Sequence, residues 1–491
     1  MFPYDPSRAI PVTLLAVITD RSGSSLQFMS RQDPSCMNQV HQGFPASPTL
    51  PILEFADLRA ASQTRKTKHI SPGNQAAKAC TGQRRGYRNS LAQTRDEIPP
   101  STCLAAASSY KKLKGNESDE CSISTNPPQH QKKIIIMASS KTYTTKQWVL
   151  SSKPTGAPVL EGDDATFKLQ TVTLPPLQDG QILCKVQYFS NDTGLRNFIQ
   201  STVAPERFYV PTVPVGSPMR SGIIAEVVES ASPKFKAGDL VMDFHLGTWS
   251  EYVILDAANS QALSPLPGNL PLTHYLGAFG ASGIAAYTGL YMAGEAKPEH
   301  TIVISAAAGA TGSMAIQIAV KILGAKRVIG IAGSDEKCAW VKEELGAHEC
   351  INYKSPTFLE DLKAATPDEV DVYFDNVGGH VLDAMLTRIK RHGTIAVCGA
   401  VSSYNSDEPM ALKNWFELIS MRITIRGFIM LDYMDKVPAI LGELIGAAAE
   451  GRIKLHNSET VVEAPIEQQP EVWMRLFSGG NQGKLLTKLI I

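Results

Sequence analysis

Residues 301–337, TIVISAAAGATGSMAIQIAVKILGAKRVIGIAGSDEK, constrain this chain more than any other stretch. They open with a short Ile/Val run, 301–305, of the kind buried on both faces of a sheet. A turn of small residues follows at 306–312, then an apolar segment of helical period from Ser313 to about Leu323, then a second β-branched run at 327–331. Strand, helix and strand together have the length of one parallel crossover. Gly309 and Gly312 take the second and third glycine positions of G-x-G-x-x-G, with Ala307 at the first. A turn without bulky Cβ atoms, opening a helix, lets backbone N–H groups approach a pyrophosphate. Glycines also mark ordinary turns, so the weight lies in the context: strand before, helix after. The reading is a dinucleotide site.

The second strand ends Ile331-Ala332-Gly333-Ser334, and no carboxylate appears until Asp335 to accept from a ribose 2′-OH. Ser334 and Lys337 suit a 2′-phosphate instead, one as a neutral donor and one as a cation, which favours NADP. The same residues read equally as a plain helix start with Ser334 as N-cap, and both readings can hold together.

At 491 residues the chain has room for two or three domains, and its formal net charge is zero. That balance argues against a nucleic-acid partner or a polybasic membrane contact and leaves a small-molecule substrate. Residues 1–136 differ from the rest: they are rich in Ser, Gln, Pro and Arg, without sustained periodicity. They hold four of the eight cysteines (Cys36, Cys80, Cys103 and Cys121) at spacings that suit neither a metal nor a disulfide framework. This segment reads as a disordered extension or a mis-assigned start upstream of Met137, with an organelle targeting segment as the alternative. Cytoplasm is the default compartment, an organelle the alternative if the segment is real and cleaved.

From Met137 the pattern becomes that of a folded enzyme. Short strand-like runs between Pro/Gly turns fill residues 145–190 and 222–255 and predict a small, partly barrel-like β domain. After Pro267, helices alternate with parallel-type strands at 372–374, 394–397 and 423–428, the pattern of a doubly wound sheet. A closing strand at 485–491 suggests that the C-terminal segment returns to the β domain. The expected division is 137–265, 266–432 and 433–491.

Four further stretches fall at strand ends, where a doubly wound fold meets its ligand. Tyr353 follows the third strand and suits the adenosine end, though a tyrosine that merely caps a strand fits as well. Asn376, in FDNVGG, suits a ribose or carboxamide, or an ordinary turn. Residues 398–405 follow the fifth strand and 427–430 the sixth. The β domain has one cysteine, Cys184, no Cys-x-x-Cys occurs, and His245 and His274 stand alone, so no metal site is expected. No G-x-S-x-G elbow supports a serine hydrolase.

These motifs carry a resemblance. AAAGATG at 306–312, GSDEK at 333–337, NYK at 352–354, FDNVGG at 374–379, CGAVSSYN at 398–405 and GNQGK at 480–484 occur in order. From Met137 onward the chain resembles the zinc-independent medium-chain dehydrogenase/reductases, in the branch of the prostaglandin and alkenal double-bond reductases. The resemblance implies a GroES-like catalytic domain beside a Rossmann domain, and NADPH-dependent reduction of the C=C bond of an α,β-unsaturated aldehyde or ketone. It also implies a homodimer. It places Gly309, Ala310, Thr311 and Gly312 at the pyrophosphate and Ser334 and Lys337 at the 2′-phosphate. Tyr353, Asn376, the loop Cys398, Gly399, Ala400, Val401, Ser402, Ser403 and Tyr404, then Phe428, Ile429, Met430 and Asn481 would line the rest of the cofactor. Tyr404 is the catalytic candidate, either assisting protonation or only packing the cofactor. One departure stands out. Relatives often read DPYMR where this chain has DTGLR at 192–196, so Gly194 replaces a pocket tyrosine while Asp192 and Arg196 remain, expected as an ion pair. Gly194, Arg196, Tyr287 and Tyr433 are the expected substrate-pocket residues. Quinone or carbonyl reduction on the same scaffold is the alternative activity, and a cofactor-binding protein without catalysis is the alternative class.

Overall fold

The structure, a computed structural model, describes residues 142–244 and 246–491. The expectations for residues 1–136, for a start at Met137 and for His245 lie outside the described residues. The alternating apolar runs of the first part become seven strands: β1 (Thr144–Leu150), β2 (Phe167–Thr173), β3 (Gln181–Asn191), β4 (Ile223–Ser230), β5 (Leu240–Asp243), β6 (Tyr252–Asp256) and β7 (Gln261–Ala262). β1 and β2 form an antiparallel ribbon. β3 is the longest and pairs antiparallel with both β4 and β6.

The second part alternates as the periodicity requires: α1 (Ala281–Thr288), β8 (Thr301–Ser305), α2 (Ala310–Gln317), β9 (Arg327–Ala332), α3 (Asp335–Glu343), β10 (Glu349–Asn352), α4 (Phe358–Ala365), β11 (Val370–Asp375), α5 (Gly379–Leu386), β12 (Ile389–Val397), α6 (Glu417–Ser420) and β13 (Thr424–Gly427). Its six strands are all parallel, in the order β10-β9-β8-β11-β12-β13. Every residue of β8 is buried, as expected of a central strand covered on both faces. α2 starts at Ala310, three residues before the expected Ser313, and widens into a π-helical turn at Ile318–Ile322. The small residues after Gly309 have the composition of a turn, yet without bulk they enter the helix freely.

The last part comprises α7 (Val437–Ala449), β14 (Glu459–Ala464), α8 (Gln469–Ser478) and β15 (Lys484–Leu489). β15 pairs parallel with β14 and antiparallel with β3, extending the antiparallel sheet to seven strands. α7 packs elsewhere: Val437, Ile440, Leu444 and Ala447, spaced as one helical stripe, join the core formed with β8 and α2. Residues 433–491 thus supply two strands to the antiparallel sheet and a helix to the core beside the parallel one.

The antiparallel unit has an aromatic centre. Trp249 and Trp473 are fully buried with ring centroids 5.6 Å apart, and Phe167 lies 5.3 Å from Trp249. Trp473 belongs to α8 and its indole donates to Asp192 O at 2.9 Å, so burial and a satisfied donor coincide in one side chain. Trp473→Ala should lower the unfolding free energy by about 3–5 kcal/mol, measured by urea denaturation of the full chain. A change below about 1 kcal/mol would mean that α8 is dispensable to the sheet.

Candidate active site

The strand order reverses between β8 and β11, and their carboxyl ends open the crevice where a parallel sheet of this kind takes its ligand. β8 ends at Ser305 and the chain turns at Ala306, whose φ of 48° places a non-glycine residue in the left-handed region. Gly309 N donates to Ala306 O at 2.9 Å, closing the turn. Gly312 is required here, because a Cβ on it would lie 2.1 Å from Ala306 O. The first turn of α2 therefore presents its N–H groups to a cavity of about 880 Å³.

One end of that cavity is basic. Ser334 caps α3, accepting from Lys337 N at 3.3 Å as the helix-start reading expects, and it lines the cavity. Asp335 is occupied, accepting from Asn352 Nδ2 at 2.9 Å. Lys337 and Lys354 both line the cavity. Burial and then the neighbouring Lys354 hold the Lys337 ammonium below its usual range. Lys337 Nζ also donates to Gly479 O at 2.8 Å. The Tyr353 ring lies over Gly333 and 5.7 Å from the His380 ring.

The middle is made by β11 and β12. Asn376 Nδ2 donates to Ser305 O at 2.8 Å, which leaves its carbonyl oxygen for a ligand hydroxyl. Asp375 behind it is buried; it accepts from Gly378 N at 3.0 Å, Val377 N at 2.9 Å and Tyr373 OH at 2.8 Å, yet burial still raises its carboxyl above the usual range. Burial and that carboxyl push the Cys398 thiol up to about 12. Cys398, Gly399, Val401, Ser402 and Tyr404 line the cavity, as do Phe428, Ile429, Met430 and Asn481. Gly309, Ala310, Thr311, Gly312, Ser334, Tyr353 and Asn376 complete the predicted residues brought together there.

At the other end, Tyr404 Oη accepts from Ala400 N at 3.2 Å. That bond occupies the hydroxyl oxygen and leaves its proton for something else. Gly194 lines the same cavity, and a Cβ on it would meet nothing within 4 Å. Tyr209 also lines it; burial, then the nearby Tyr404 and Cys398, push its hydroxyl up to about 12.

Five predicted residues are placed elsewhere. Ala400 and Ser403 do not line the cavity: Ala400 O accepts from Ser403 N and Oγ, tying both into the loop's own turn. Arg196 is buried away from it, donating to Pro154 O, Thr155 O, Gly156 O and Asn405 Oδ1. Asp192 does not pair with Arg196; its carboxylate accepts from Lys484 Nζ and from Ser190 Oγ. Tyr287 turns outward to Glu443 Oε2 at 2.7 Å, and Tyr433 stacks under Lys436, whose Nζ is 5.8 Å from the ring centre. Conversely, sequence reasoning gives no role to Lys354, His380 or Tyr209. Lys354 carries a usable signal, standing next to Tyr353 at a strand end, whereas Tyr209 lies in an irregular segment without periodicity. Among the described residues no group of three or more His, Cys, Asp or Glu could hold a metal ion.

Comparison with known proteins agrees with this geometry. Residues 146–263 match the family described as the N-terminal domain of oxidoreductase, and residues 310–445 the family described as zinc-binding dehydrogenase. The chain is 36% identical over 344 residues to the NADP(+)-dependent 2-alkenal reductase of Nicotiana tabacum, covering 70% of this chain and 96% of that one. It is 36% identical over 347 residues to prostaglandin reductase 1 of Bos taurus, covering 70% and 98%. Among solved structures, CurA from Vibrio vulnificus in complex with NADPH superposes with a TM-score of 0.63 at 32% identity, over 70% of this chain and 99% of that one. The chain belongs to the medium-chain dehydrogenase/reductase family, in the branch that holds the prostaglandin and 2-alkenal reductases.

Proposed function

We propose that this protein is an NADPH-dependent oxidoreductase of the CH–CH type, reducing the C=C bond of an α,β-unsaturated aldehyde or ketone. The observation that carries the reading is a single cavity with a pair of lysines at one end, the glycine turn between, and Tyr404 with the open Gly194 turn at the other. The residues suit NADP(H). Lys337 and Lys354 supply the charge for a 2′-phosphate, Gly309 to Gly312 the N–H groups for a pyrophosphate, and Asp335 is already engaged by Asn352. Tyr353, Asn376, residues 398–404 that line the cavity, Phe428 to Met430 and Asn481 would hold the remainder.

A bound cofactor would supply the hydride, and solvent or a tyrosine the proton that completes the reduction. The chain positions the acceptor and stabilises the charge that grows on its carbonyl oxygen as the β-carbon is attacked. Tyr404 is suited to that stabilisation. With Ala400 N–H donating to its oxygen, its own O–H is polarised and free to donate to the acceptor oxygen. Tyr209 adds a second hydroxyl, and the raised Cys398 thiol stays protonated and weakly nucleophilic beside the acceptor. The space at Gly194, where relatives often carry a tyrosine, favours acceptors bulkier than short enals.

The full chain should oxidise NADPH with enals and enones and yield the saturated aldehyde or ketone, identified by mass spectrometry. Gly194→Tyr should slow bulky enones while sparing short enals. Turnover confined to quinones or plain ketones would overturn the alkene reading. Lys337→Ala and Lys354→Ala should each raise the KM for NADPH by about ten- to a hundredfold with little effect on NADH, since each removes a charged donor to the 2′-phosphate. Equal effects on both cofactors would remove the lysines from that role.

A homodimer is proposed as well. β13 is the outer strand of the parallel sheet, and the segment before it exposes Trp415, Phe416 and Ile419, with Phe416 71% exposed. An unpaired edge with an apolar flank favours pairing with a second copy. Light scattering should give twice the chain mass, and Phe416→Asp with Ile425→Lys should give one. We propose the cytoplasm as the compartment; a fluorescent fusion of residues 1–136 that localises to an organelle would overturn this.

A further inference from the structure

Arg196 is 1% exposed, and nearly all of its hydrogen bonding goes to two loops. Nη2 donates to Pro154 O and Thr155 O at 3.1 Å and to Gly156 O at 2.6 Å, while Nε donates to Asn405 Oδ1 at 3.1 Å. The two loops touch each other, since a Cβ on Gly156 would lie 3.1 Å from Asp407 Oδ2. Asp407 also favours the charged form of the buried guanidinium, opposing the effect of burial. A planar guanidinium can bridge several fixed oxygens at once, which an ammonium cannot.

The position of the second loop gives this contact its meaning. Asn405 follows Tyr404 directly, and residues 398–404 run from the end of β12 along the cavity. Within that loop, Ala400 N donates to Tyr404 Oη and Tyr404 N donates to Val401 O at 3.4 Å, so its own bonds curl it around Tyr404. Anchors outside the loop exist at its beginning, where Val401 N reaches Asn376 O and Ser402 N reaches Val377 O. The anchor at its far side is Arg196, on the same short 3-10 turn, Thr193–Ile199, whose Gly194 lines the cavity.

We infer that Arg196 is a positioning residue: by gripping Asn405 it fixes Tyr404 in the cavity and ties that hydroxyl to the turn that bounds the substrate space. The inference rests on the reading of Tyr404 as hydrogen-bond donor to the acceptor. Arg196 itself touches no reacting atom.

The test uses the full chain with Asn405→Ala, which frees Nε while leaving the three carbonyl bonds of Arg196 in place, and Asn405→Asp, which restores an acceptor. Hydrogen–deuterium exchange of the amides of residues 400–404, without cofactor, should quicken about tenfold or more in Asn405→Ala and return toward the original rate in Asn405→Asp. With an enal and NADPH, Asn405→Ala should lower kcat about tenfold or more, with NADPH affinity from fluorescence titration within about twofold. In a Tyr404→Phe background the same substitution should add little, since both act through one hydroxyl. Unchanged exchange in Asn405→Ala, or a loss of kcat that adds in full to that of Tyr404→Phe, would overturn the inference and leave the function intact. Unimpaired turnover by Tyr404→Phe would instead remove the catalytic reading of Tyr404 and the positioning role with it.

Discussion

The ion pair between Lys484 and Asp192 is the contact on which the cavity depends. Lys484 is 2% exposed, and its ammonium reaches the Asp192 carboxylate and Asn191 O, 3.0 Å away. The preceding residue, Gly483, donates from its N–H to Ala308 O at 2.8 Å and bridges to Gly309. Only glycine suits position 483, whose φ is 64° and whose Cβ would lie 1.9 Å from Ser458 O. Two consecutive residues thus hold the glycine turn on one side and the substrate-side turn on the other. The pair is lopsided, with Lys484 buried and Asp192 part-exposed, so removing the carboxylate strands the ammonium, whereas removing the lysine leaves an acid that water still reaches.

Along the cavity, charge falls away in one direction. Two cations, Lys337 and Lys354, mark the end at α3, where burial and then the neighbouring Lys354 hold the Lys337 ammonium below its usual range. At the opposite end the titratable groups Cys398 and Tyr209 are kept neutral by burial. An anionic ligand group therefore has one favourable end and a neutral acceptor the other, which orients a bound dinucleotide before any specific contact is counted. The neutral end is also where a hydrogen bond to a growing negative charge has most effect, because little water competes for it.

Much of this was legible in the sequence, for local reasons. The unit from β8 to β9 follows from a buried run, a glycine spacing and a helical period, all contained within about thirty residues, and each of these signals is local. The same holds for Ser334 as a cap and Tyr353 at a strand end. Arg196 was misplaced because two residues apart on a 3-10 turn means two different directions: Gly194 opens into the cavity while Arg196 reaches behind it. The partner of Asp192 was missed because it lies 292 residues away. Tyr287 and Tyr433 depend on how α1 and the residues before α7 rotate against their neighbours, which no local pattern encodes.

The pairing of β15 with β3 also bears on how the protein is made. β3 and the turn after it emerge from the ribosome nearly three hundred residues before β15 can reach them. The parallel sheet, contiguous from β8 to β13, can close while synthesis continues. The antiparallel sheet must wait, with the Tyr188–Asn191 half of one β3 edge unpaired and Asp192 without its lysine, until residues 484–489 arrive. A nascent chain halted before that point would hold a complete parallel sheet beside an open stretch of β3, with no lysine behind the turn that bears Gly194.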